Sequence, residues 1–275
     1  MPADNAFFEP YYPLKTEIEI LSSSESPKNK WKEALNTILT SSQIFENKNG
    51  AYNETILQLL RLITPSPLLG NGARIKGAKR DELFEKIICV KNLSDKALAR
   101  MSDLVFFNSL SNSQKSKVLK IFTSKHNELD NQSLTNLGFL LLQAKTSRDM
   151  DKEILGILEK NSQCAAAQQS LSQIAAFPGS KSWMRDRALD ILIRHNNLAP
   201  GVVSTLINSF NYELKSDERR GKILEIISKA EWVNSNSLNR LLSSPNLKKE
   251  HRVEIERLIA RQNETPNQGQ IVRVK

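Results

Sequence analysis

Cysteine is almost missing from this chain of 275 residues, where Cys89 and Cys164 are the only two. Each sits in an apolar stretch, where a free Cys behaves as a small hydrophobe, so both are expected to be buried thiols and no disulfide framework is expected. Histidine is equally scarce. His126, His195 and His251 lie far apart with no second His or Cys at ligand spacing, which leaves no zinc motif and no expected metal or other cofactor. Glycine numbers only 10, and β-branched residues are not gathered into alternating runs, so the strand signals of a sheet protein are missing. Aromatics make up 6% of the chain, and Trp31, Trp183 and Trp232 suit core or inter-repeat packing better than a base-stacking platform. No stretch approaches the roughly 18–20 consecutive apolar residues of a membrane span, and the start lacks the basic-then-apolar pattern of a secretory leader. The chain therefore reads as soluble. A leader removed before Met1-Pro2 would leave the same sequence, so localisation stays open between cytoplasmic and exported.

What is present is ordinary for a globular chain: 39% hydrophobic and 25% charged residues, enough to bury a sizeable core. Residues 1–27 combine Phe7, Phe8, Tyr11 and Tyr12 with Pro2, Pro10 and Pro13, and the alternation Lys15-Thr16-Glu17-Ile18-Glu19-Ile20 suits an extended arm. Residues 28–92 read as N-terminal helices. One begins after Ser26-Pro27 and carries Trp31, Leu35, Ile38, Leu39, Ile44 and Phe45. A second runs from about Tyr52 to Ile63 with apolar residues nearly all round, as expected for a helix lying between others. Pro65 and Pro67 stop it, and the Gly-rich basic stretch over residues 65–80 reads as a mobile loop. Gly70, Gly72 and Gly77 follow no strand and lead to no Gly-Lys-Ser/Thr, so the phosphate-loop reading fails on context. Arg74, Lys76, Lys79 and Arg80 make this loop a candidate contact for an anionic surface.

From Leu93 a period of about 35 residues appears, with two columns advancing together. Val118-Leu119/Ile121-Phe122, Ile154-Leu155/Ile157-Leu158, Ala188-Leu189/Ile191-Leu192 and Ile223-Leu224/Ile226-Ile227 share one four-point pattern, and Ile255 with Leu258-Ile259 gives a fifth copy. The first helix of each pair repeats in step through Leu98/Met101, Leu134/Leu137, Leu171/Ile174, Val203/Leu206 and Leu238/Leu241. A lone helix pair cannot bury its apolar face, so the copies must stack. The expected fold is all-α, a right-handed α-solenoid of antiparallel helix pairs over residues 93–262 with an extended N-terminal arm. Glu256 breaks the fifth copy and marks a capping helix, after which residues 263–275 read as a disordered tail.

Trp183-Met184-Arg185-Asp186-Arg187-Ala188-Leu189-Asp190-Ile191-Leu192, preceded by Phe177-Pro178, resembles the HEAT repeat, in which a proline leads to an Arg, Ala and Leu pattern opening the second helix. The other copies keep the apolar columns but not the proline or the small Ala. The tetratricopeptide repeat is similar in period while its early Trp, Leu-Gly and Tyr positions are missing. Both resemblances imply binding of proteins or peptides along a curved surface. The alkylpurine DNA glycosylases are similar only in architecture and charge, and Trp183 beside Arg185, Asp186 and Asp190 is the one cluster offering both an acid and an aromatic.

The formal net charge is +9, with 4 basic against 7 acidic residues up to Glu46, 16 against 9 over residues 47–150 and 19 against 14 beyond. Cations recur near the start of successive second helices, at Lys115/Lys117, Arg185/Arg187, Arg219/Arg220 and Lys248/Lys249/Arg252, and stacking would align them into a partner-binding ridge. Asp186, Asp217, Glu218 and Glu250 interleave with them and would cancel much of that field. No Ser-His-Asp, Cys-His or metal-ligand grouping is visible, so no catalytic residue is named. The expectation is a non-enzymatic scaffold or adaptor that holds a protein or peptide partner by apolar anchors with a cationic rim. Nucleic-acid binding through the basic ridge is the alternative.

Overall fold

The computed structural model describes residues 14–46, 50–64, 75–106, 110–143, 146–210, 216–230, 233, 235–244 and 247–264. Among them the only regular structure is helical, and no strand occurs. The chain forms two compact units, Met1–Ser133 and Leu134–Lys275.

The first unit holds α1 (Lys15–Ser22), α2 (Lys28–Thr40), α3 (Ser42–Glu46), α4 (Asn53–Ile63), α5 (Gly77–Ile87), α6 (Asp95–Phe106) and α7 (Asn112–Ser124). Helix α4 is its centre, packed against α1, α5 and α6. Its residues Ile56, Leu57, Leu59, Leu60, Leu62 and Ile63 are all buried, which is what an apolar circumference requires. Three sequence expectations change here. Residues 15–22 form a helix rather than part of an extended arm, because Ile18 and Leu21, three apart, both reach the core while Lys15, Thr16, Glu19 and Ser22 stay exposed. Residues 1–13 lie outside the described residues. The helix after Pro27 breaks at Ser41, giving α2 and α3. The expected loop over 65–80 ends early: Gly77 opens α5 with a φ of 61°, and Lys79 and Arg80 lie inside that helix.

The second unit contains the rest of α8 (Asn131–Gln143), then α9 (Arg148–Lys160), α10 (Ala165–Ala176), α11 (Ser182–Leu192), α12 (Pro200–Phe210), α13 (Asp217–Ser228), α14 (Ser235–Leu242) and α15 (Lys249–Glu264). Helix α10 packs on α9 and α11, α12 on α13 and α14 on α15, and from α9 onward each helix also packs against its counterpart in the next pair: α9 on α11, α10 on α12, α11 on α13, α12 on α14 and α13 on α15. Every first-helix column residue from Leu98/Met101 to Leu238/Leu241 is buried, and so are the second-helix columns except Ile121 and Ile259, which are half-buried. Glu256 is exposed on α15. That helix continues to Glu264, so the polar segment after it starts later than the expected tail, and residues 265–275 lie outside the described residues.

Serine sets where several second helices begin. Ser111, Ser147 and Ser216 each stand one residue before α7, α9 and α13 and accept the N–H of the residue three further on; Ser111 and Gln114 form a full capping box. In the second unit the first helices come together through small side chains. A Cβ on Gly138 of α8 would lie 2.5 Å from the Ser170 Cβ of α10, and the Ser170 hydroxyl donates to the Leu134 carbonyl at 3.3 Å.

Candidate partner-binding surface

The cations at the starts of the second helices divide into two sets by which side of the helix they occupy. Lys115, Arg185 and Arg220 each stand three residues before the first apolar column residue, on the inward face, and are only 4%, 8% and 1% exposed. The Arg185 Nε–H donates to the Ala175 carbonyl at 3.1 Å, near the C-terminal end of α10, where carbonyls lack helical partners and the helix dipole favours a cation. The Arg220 guanidinium lies 5.4 Å from the centre of the Phe210 ring at the end of α12. Burial pushes the Lys115 ammonium below its ordinary pKa; burial and then the nearby Arg219 do the same to Arg185, with Asp186 opposing. These three tie a second helix to the end of the first helix before it or to the core, so as surface cations they are corrected out of the ridge.

The other set points sideways, each toward the preceding second helix. Lys117 reaches Glu85 of α5 at 2.5 Å in the first unit. In the second unit Arg187 and Arg194 share Glu159 of α9 at 2.6 and 2.9 Å, Arg219 grips Asp186 of α11 at 2.6 Å, Lys222 meets Asp190 at 2.9 Å, and Lys248 meets Asp217 of α13 at 2.6 Å. Asp186 raises the pKa of Arg219, Asp190 that of Lys222, and Asp217 that of Lys248, while the Lys248 hydrogen bond holds the Asp217 carboxyl below its ordinary value. The acid always comes from the earlier helix and the base from the later one, so the supposed ridge is a ladder of ion pairs. Of the ridge candidates, only Lys249 and Arg252, on the last helix, are exposed without an ion pair among the described residues.

The basic-loop candidates separate likewise. Lys79 pairs with Glu82 at 2.9 Å and Arg80 with Asp81 at 2.8 Å, Lys76 is exposed just before α5, and Arg74 lies outside the described residues. Of the Trp183 cluster, Asp186 and Asp190 are taken by Arg219 and Lys222, and the Trp183 ring carries the Arg148 guanidinium 5.7 Å from its centre.

No known protein family matches the chain, and no curated protein matches its sequence. The surface therefore has to be read on its own chemistry.

Sequence reasoning passed over the first helices. The described residues of α8, α10 and α12 carry no charged side chain and α14 carries only Arg240, whereas α9, α11, α13 and α15 are rich in both signs. The solvent-facing side of the first helices runs from Phe139 and Leu142 on α8, through Gln169 and Gln173 on α10 and Ser204, Thr205 and Asn208 on α12, to Asn239 and Arg240 on α14. Gln169 donates to the Thr205 hydroxyl at 3.1 Å, linking two of these helices on that side. The signal was there in the alternation of charged and uncharged helices along the chain.

Two further groups were misjudged or missed. Cys89 is exposed and Cys164 half-buried, because each sits beside a helix end, where Ile87 and Val90 rather than Cys89 turn inward. Asp151 is fully buried in α9, at the column that elsewhere holds Lys115, Arg185 and Arg220; it accepts from the Thr146 hydroxyl and from the Lys181 ammonium. Its sign is inverted, and a lysine from the next pair completes it.

Proposed function

We propose that the chain is a non-enzymatic helical-repeat scaffold whose second unit, a HEAT-like α-solenoid in the making of its pairs, holds a protein or peptide partner along the first-helix side. The observation that carries this reading is the segregation of charge. Of the ridge cations on the second helices, all but Lys249 and Arg252 are turned inward or matched to acids one helix earlier, while the first helices of the second unit offer an uncharged row with half-buried apolar side chains at one end and Arg240 at the other. Such a row suits a polypeptide, whose main chain pairs with carboxamides and hydroxyls and whose apolar side chain finds an anchor near Phe139. The nucleic-acid alternative asks for unmatched cations along a ridge, and the ion-pair ladder weighs against it.

The test compares two triple variants of the full chain as affinity baits. Replacing Gln173, Ser204 and Asn208 by Glu introduces charge into the first-helix row without touching a buried side chain. Replacing Arg187, Lys248 and Arg252 by Gln removes second-helix cations. Proteins enriched by the native chain are expected to be lost from the first variant and kept by the second; the reverse pattern rejects the assignment of the binding side.

A further inference from the structure

Three cations converge on a recess in the first unit. Arg61, in the last turn of α4, and Lys96 and Arg100, one turn apart on α6, line a hollow of about 310 Å3 floored in part by Leu57. Like charges at this helical spacing repel, and a third cation from the neighbouring helix adds to that cost. The acids at hand do not offset it. Asp103 pairs with Arg100 at 3.0 Å, and Asp130 commits an oxygen to capping α8, accepting the Ser133 N–H at 2.8 Å. Arg61 and Lys96 make no ion pair among the described residues, and the buried Arg100 Nε–H has no acceptor. Three positive charges against two negative ones leave the hollow cationic.

We infer that this recess binds a small molecule bearing a dianionic oxygen group, either phosphoryl or dicarboxylate, with Arg61 and Lys96 as its direct ligands. The oxygens supply the acceptors that the recess lacks, and Leu57 lies against the apolar part of the molecule. Arg100, fixed by Asp103, forms the positive wall behind them. The inference is independent of the scaffold reading, which concerns the other unit.

Titration calorimetry of the full chain with pyrophosphate, and separately with malonate, at matched ionic strength tests it. Saturable binding of at least one anion is expected, and the arm that binds names the oxygen group. Affinity should fall about tenfold in Arg61→Gln and again in Lys96→Gln, the loss of one charge-assisted hydrogen bond each, while Lys96→Arg retains most of it. Arg187→Gln, in the other unit, should leave the affinity unchanged. Absence of saturable heat with both anions overturns the assignment, as does equal affinity in the native chain and the two Gln variants, which would mean diffuse ion association.

Discussion

Arg219 and Arg220 are chain neighbours with opposite fates. The Arg220 side chain is buried against Phe210, whereas Arg219 lies along the surface and holds Asp186. Truncating Arg220 to Ala should destabilise the protein by about 2–4 kcal/mol, because it empties a packed site and removes a desolvated cation–ring contact. Arg220→Met, which keeps the aliphatic stem, should cost less. Arg219→Ala should cost less than Arg220→Ala, about 1 kcal/mol, since its partner Asp186 is only half-buried. Urea denaturation followed by circular dichroism separates these cases, and equal costs for the two Ala variants would contradict the division into inward and sideways cations. His195 provides a pH test. Its Nε2 lies 2.8 Å from the Ser162 hydroxyl, and burial, then Arg194, push its pKa below 6.5. The folded state thus binds fewer protons than the unfolded one between that depressed value and 6.5. Stability should fall as the pH drops below about 6.5 and then level off for this group below its folded pKa, and His195→Gln should remove that component of the slope.

At the scale of the element, close approach of the first helices depends on residues without bulk. Gly138→Ala should destabilise by about 1–3 kcal/mol because the new methyl overlaps Ser170, whose backbone also lies within 3.3 Å. Adding Ser170→Gly should recover part of that loss, with thermal melts of the single and double variants as the readout. The paired helices were legible because apolar columns at period 3.6 are local signals, repeated from pair to pair. Lys15–Ser22 was not, since Ile18 and Ile20 satisfy the alternating pattern as well as Ile18 and Leu21 satisfy the helical one over so short a run, and packing against α2 and α4 decides between them. The basic positions were found, but their directions were not. Lys115 and Lys117 differ by two residues, about 200° around a helix, and that angle separates a buried ammonium from an ion-paired one.

At the scale of the molecule, a net charge of +9 says little about partners until the charges have been matched to one another. Most sideways cations from α11 to α15 have an acid on the preceding second helix, and the phosphate-binding potential of that side is reduced accordingly. Among the described residues no helix is long and apolar enough to cross a membrane. On the proposed scaffold reading, second-helix cations serve to join helices and recognition belongs to the uncharged first-helix side. Fluorescence anisotropy of labelled duplex DNA and single-stranded RNA, titrated with the full chain between about 50 and 200 mM salt, tests it most directly. Weak binding at the low end without a steep salt slope is expected, with no change in Arg187→Ala or Arg219→Ala. Tight binding that collapses with salt and weakens in those two variants would contradict it.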